Sequence, residues 1–201
     1  MFMPFAFLLL LVTVPVAGGR LGRLSHLRLE GVGLIVLALA LQVLMASVLP
    51  VALPDAPHLL LIALHAASYA VIAWTLWLNR AVPGLLLVAL GGGTNAAVIA
   101  LNGGTLPADP DALAEAGFTV EPEEYKNSGV VDDPVLAWLG DVMATPSWLP
   151  FRNVISIGDI VVLIGSAVLL HVVCASRIGR VLGTGVRRRE PARAVDPSAV
   201  P

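Results

Sequence analysis

The sequence predicts an all-α fold, a polytopic membrane helix bundle of about five transmembrane helices with one long acidic extracytoplasmic loop that carries short helices. Three observations lead there. Mean hydropathy is +0.87, and 57% of the residues are hydrophobic against 13% charged, where a soluble domain has roughly a quarter charged. Apolar runs of about 20 residues, the length of a membrane span, recur along the chain between short connectors. A formal net charge of −2 conceals a strong asymmetry, with acidic residues gathered in one loop and arginines in the tail.

Residues 2–17 form the first apolar run, bounded by Pro4 and Pro15. A cleaved signal peptide is the rival reading, but the basic residues follow the run instead of preceding it, which favours a span. From Arg20 to Glu30, Arg20, Arg23 and Arg28 alternate with Leu21, Leu24 and Leu27, a pattern suited to a short amphipathic turn at a lipid surface. Residues 31–49 are the second expected span, with Gln42 its one strongly polar member. Pro50, Pro54 and Pro57 then mark a turn outside any helix. The third expected span, 59–78, carries His65, Ser68, Tyr69, Trp74 and Trp77, and the fourth, 83–101, contains Gly91, Gly92, Gly93, Thr94 and Asn95. Consecutive glycines imply either close approach of a neighbouring helix or an unwound segment lining a cavity.

Residues 102–153 are the long hydrophilic segment, with nine acidic residues including Asp109, Asp132, Asp133 and Asp141. Asp109-Pro110 followed by alanines and Gly117 predicts a short helix with Asp at the N-cap and Pro at the first position. Trp138 and Trp148 suggest that the second half of the loop folds back onto an interface. The fifth expected span is 155–174, and 175–201 form an Arg-rich tail expected to be disordered. Basic residues beside the spans number ten on one side and two on the other. The positive-inside rule then predicts a multi-pass protein of a bacterial inner membrane, with the N-terminus outside and the tail in the cytoplasm.

Measured from the outer ends of those spans at about 1.5 Å per residue, Gln42, His65, Asn95 and Asp159 fall at one depth, about 6 to 10 Å below the boundary. Each is costly against lipid, so the expectation is a polar layer in which they turn toward one another. Tyr69, Asn102, Asn153 and Ser156 extend its faces, and Arg152 stands at the mouth, where it would neutralise Asp159. The competing reading treats these groups as packing glue between helices. His171, near the far end of the last span, has no evident polar neighbour and is read as interfacial. Cys174 is a packing residue. No nucleotide-binding glycine pattern, HExxH, serine elbow or EF-hand spacing occurs, so neither a cofactor nor a metal is expected.

The ordered set Asn102-Gly-Gly-Thr-Leu-Pro107, Trp138-Leu-Gly-Asp141 and Asn153-Val-Ile-Ser-Ile-Gly-Asp159, with Gly19-Arg20-Leu21 after the first run, resembles a family of small bacterial integral membrane proteins defined only as a domain of unknown function. The resemblance covers about residues 5–172. It departs from the pattern at Asn127, which stands in place of a histidine, and in the Arg-rich tail. It implies a multi-span protein and brings no activity with it.

Three functions compete. The leading expectation is a non-catalytic scaffold or partner subunit, a homo-oligomer or a companion of another membrane protein. Its contacts would be the lipid bilayer and, through Arg187, Arg188 and Arg189, anionic lipid headgroups; nucleic acid is not an expected partner. The runner-up is a small proton- or ion-coupled transporter using Asp159 with His65. A membrane enzyme with Asp159 or Asp141 as base ranks last.

Overall fold

The computed structural model describes residues 2–47, 58–118 and 128–183. The chain is mostly helical: α1 (Phe2–Val16), a 3-10 turn (Leu21–His26), α2 (Val32–Ser47), α3 (His58–Leu78), α4 (Leu85–Leu101), α5 (Pro110–Glu115), α6 (Ile157–Val173) and α7 (Arg177–Leu182). Between α4 and α6 lie four short strands, β1 (Leu106–Pro107), β2 (Ser128–Gly129), β3 (Asp141–Ala144) and β4 (Val154–Ser156). β1 pairs with β2 in parallel, and β3 with β4 antiparallel.

The expected polytopic membrane bundle is corrected here. Among the described residues no helix is long and apolar enough to cross a membrane. Helices α1, α2, α4 and α6 have 15, 16, 17 and 17 residues. At about 1.5 Å per residue they are about 22 to 26 Å long, against a hydrocarbon core of about 30 Å. Local chemistry sets where three of them begin. Gly31 and Gly84, both at positive φ, stand just before α2 and α4, and the run expected as the fifth span spends its first residues in β4. The longest helix, α3, has 21 residues and carries the polar residues His65, Ser68, Tyr69 and Thr75. Without a crossing helix among the described residues, the transmembrane assignment, the division into extracytoplasmic loop and cytoplasmic tail, and the multi-pass inner-membrane localisation all lose their basis. The all-α class is also too narrow, since the long loop contains two small sheets. Residues 177–182, expected to be disordered, form α7; Arg187, Arg188, Arg189 and Asn127 lie outside the described residues.

The most extensive helix pair is α4 with α6, and its cause is glycine. A Cβ on Gly84 would collide with Gly165 O, and one on Gly91 with Gly158 O. Seen from the other helix, a Cβ on Gly165 would stand 2.7 Å from Val88 N. Seven residues separate the glycines on each helix, two turns, so both close approaches fall on one face. A Cβ added to Gly92 or Gly93 would meet nothing within 4 Å; only the first glycine of the triplet serves the seam.

Helix α1 packs on α6, and α2 packs on α3. Buried Asn79 ties the α2–α3 pair: its Nδ2 donates to Glu30 O (2.8 Å) and its Oδ1 accepts from Glu30 N (2.8 Å). The loop settles on the C-terminal end of α4 and the N-terminal end of α6. It has its own apolar nucleus of Ala108, Ala112, Leu113, Ala116 and Val154. The expected cap is present, with Asp109 Oδ1 accepting from Asp111 N (2.8 Å) and Ala112 N (3.1 Å) ahead of α5.

The seam predicts opposite outcomes for adjacent glycines. Gly91→Ala must push α4 away from α6 and is expected to cost about 1–3 kcal/mol, the usual range for overpacking. Gly92→Ala meets nothing and removes a helix-interior glycine, so a gain of about 0.5–1 kcal/mol is expected. Denaturant unfolding of the two variants measures both.

Candidate functional site

Residues 154–159 run directly from strand into helix, and this junction builds the site. Ser156, the last residue of β4, keeps extended backbone (φ −92°, ψ 166°) as the N-cap of α6. Its Oγ accepts from Asp159 N (3.0 Å), and Asp159 Oδ2 accepts from Ser156 N (3.2 Å). This reciprocal box satisfies two backbone donors that a helix start leaves open, and places a negative charge at the positive end of the helix.

Asn95 on α4 completes the cluster. Its Nδ2 donates to Asp159 Oδ1 (3.0 Å), and its Oδ1 accepts from Ser156 Oγ (3.0 Å). Reaching both partners requires the two helices to touch, and Gly158 allows it, because a Cβ there would overlap Asn95 Oδ1. Backbone contact at the glycines and side-chain contact at Asn95 are therefore one piece of geometry.

A second carboxylate lies across the strand pair. The β3–β4 register sets Asp141 opposite Ser156, and Ser128 Oγ on β2 donates to Asp141 Oδ2 (2.6 Å). Asp141 is 7% exposed, and its Oδ1 is buried with no hydrogen-bond partner. Burial pushes its pKa from 3.8 up to about 6; the Ser128 hydrogen bond opposes that rise and the negative charge of Asp159 adds to it.

The other expected site residues go elsewhere. Gln42 Nε2 donates to Ser68 Oγ (3.1 Å), joining α2 to α3. Asn102 closes the end of α4, with Nδ2 donating to Val98 O and Val135 O and Oδ1 accepting from Val135 N. Asn153 pairs through its backbone with Thr145. Arg152 is exposed, and its guanidinium lies against Gly117. Tyr69 is exposed. His65 is on α3, but its side chain lies outside the described residues.

Two groups escape a reading of the sequence. Ser128 and Asp141 meet only through strand pairing between segments of two and four residues, too short to show a periodicity. His171 is the other, and its interfacial assignment is corrected: the ring is 5% exposed. Its Nδ1 is 2.8 Å from Ser176 Oγ, and its Nε2 is 3.2 Å from Thr13 Oγ1. Thr13 Oγ1 donates to Leu10 O (2.6 Å), and Ser176 Oγ also lies 3.3 Å from His171 O and accepts from Gly179 N. The serine becomes visible in the sequence only once it is recognised as the N-cap of α7.

Chemically, the cluster is made for holding. The Ser156 hydroxyl gives its proton to Asn95, and both Asp159 oxygens already accept, so no free nucleophile faces a free base. Among the described residues no group of three or more His, Cys, Asp or Glu side chains could hold a metal ion.

The pH dependence of stability follows from Asp141. Its folded pKa is above its ordinary value, so the fold favours the neutral acid. The resulting stability is full below about pH 4, declines as pH rises toward 6, and is level above that. The whole change is about 3 kcal/mol, from roughly two pKa units at 1.36 kcal/mol each. In buffer containing EDTA, Asp141→Asn is expected to flatten this decline, so that the variant is the more stable protein at pH 7. Parallel melting curves of both proteins from pH 4 to 8 would decide it.

No curated protein and no solved structure matches the chain. A family described as a family of unknown function (DUF5317) matches residues 26–171, a stretch that includes α2 to α5, most of α6 and every residue of the Asn95–Ser156–Asp159 cluster. The chain belongs to that family.

Proposed function

We propose that the protein is a non-catalytic scaffold or partner subunit, in which the Asn95–Ser156–Asp159 cluster locks two helices and outward apolar faces meet another protein. One observation carries this reading: the cluster uses its polar atoms on its own members, while large apolar side chains face outward. Leu8, Val12, Leu37, Leu86 and Leu90 are each more than half exposed, as are all four tryptophans. Along α4, Leu86 and Leu90 stand one turn apart on one face, and an apolar face left outward can meet another protein. The carrier reading, with Asp159 and His65 as its ion-binding centre, loses ground because no described helix supplies a membrane crossing.

Replacing Asp159 by Asn separates structure from chemistry. The variant sets an amide where Asn95 or Ser156 needs an acceptor, and is expected to lose about 1–3 kcal/mol of stability, with any cellular phenotype following the lost folded protein. Intact folding together with an abolished phenotype would sink the scaffold reading. A second check uses the surface. Leu86→Ser combined with Leu90→Ser should leave the melting temperature within a few degrees and lower the sedimenting mass of the purified chain. Wild-type protein that already sediments as a monomer would argue against self-association.

A further inference from the structure

Among the described residues, the Asp141 carboxylate is the buried side chain whose needs are unmet. Its Oδ2 is held by Ser128, while its Oδ1 is sealed from solvent with no partner. Buried polar atoms are normally hydrogen-bonded, and an orphan calls for an explanation such as an ion. The surroundings are electronegative. The β3–β4 register sets Asp141 across from Ser156, the residue whose amide Asp159 caps, and the charge of Asp159 is felt at Asp141. On the other side, Asp109 N donates to Asp141 O (2.9 Å). The acidic groups described on the elements packed around Asp141 are Asp159 on α6 and Asp109, Asp111 and Glu115 along α5; the bases are Arg152, exposed just before β4 with its guanidinium against Gly117, and His171 in the last turn of α6. The polar side-chain oxygens of this region are Ser128 Oγ, bonded to Asp141 Oδ2, and Ser156 Oγ and Asn95 Oδ1, bonded to each other.

We propose that Asp141 and Asp159 together bind one hard cation, with hydroxyl and amide oxygens from Ser128, Ser156 and Asn95 around it. Two carboxylates and neutral oxygens form the donor set of oxygen-seeking ions such as calcium, magnesium or sodium; thiolate and imidazole, which soft metals prefer, are absent from it. The cation satisfies Oδ1 and offsets the repulsion between the two carboxylates, which removes the cost of ionising Asp141 at neutral pH. This site goes beyond the scaffold reading and does not depend on it.

The test uses the full chain, stripped with EDTA and dialysed, then titrated separately with calcium, magnesium and sodium chloride against potassium chloride at matched ionic strength. Calorimetry and melting curves are recorded at pH 7 and pH 5. The expected result is one-to-one binding of at least one of the three ions, with a raised melting temperature at pH 7 and roughly tenfold weaker binding at pH 5 as protons compete for Asp141. Asp141→Asn, which keeps the shape of the side chain and is expected to fold, should weaken binding at least tenfold. Asp109→Asn, which removes a neighbouring charge outside the site, should leave affinity within about threefold. Binding by none of the ions in the wild type would overturn the proposal, and so would equal affinity in wild type and Asp141→Asn.

Discussion

The backbones of α4 and α6 touch at Gly84 with Gly165 and at Gly91 with Gly158, and the remaining structure is arranged around that contact. Two helices normally sit 8–10 Å apart because side chains intervene; removing them at four positions brings peptide groups into direct contact. Asn95 lies one turn beyond Gly91, and only at this closeness does its short amide reach both Ser156 and Asp159. The start of α6 is thereby fixed in position as well as capped. Since β4 runs straight into α6, fixing that start also orients β4, and through it β3 and Asp141.

This order of dependence explains why a carboxylate with an unmet oxygen can persist. Asp141 is placed by backbone pairing on both sides, to β4 through the antiparallel register and to the start of α5 through Asp109 N. Its side chain is then held in the interior by Ser128. Strain of this kind is maintained where the surrounding structure over-determines a position, and such positions concentrate at functional sites. The capping box is different, since each of its groups has a partner within the chain.

Helical character is legible in the apolar runs, and the seam is half legible: glycine clusters announce close approach, but Gly91 and Gly92 look alike until the partner helix is placed. The Ser156-Ile-Gly-Asp159 spacing is a capping-box signature, yet the surrounding hydropathy pulls Asp159 toward the reading of a membrane-buried charge. Hydropathy overreaches for a physical reason. It records that a segment is apolar, and says nothing of a glycine or capping residue that ends the helix short of a bilayer's thickness. The polar layer assembled from span depths fares unevenly for the same cause. Asn95, Ser156 and Asp159 meet, while Gln42 turns to Ser68 and Asn102 to Val135, because side-chain direction around each helix, which depth ignores, decides the partner. Strands of two to four residues leave no alternating pattern, so the meeting of Asp141 with Ser128 leaves no trace in the sequence.

Native-state hydrogen exchange across α4 and α6 addresses the central claim most directly. If the glycine seam and the Asn95 cluster bind the two helices into one unit, amides from Val88 to Val98 and from Val161 to Leu170 will share a single opening free energy and a single dependence on denaturant. Exchange in which α4 opens at a clearly lower free energy than α6, with its own denaturant dependence, would show that the two helices are held independently and that the seam does not organise the fold.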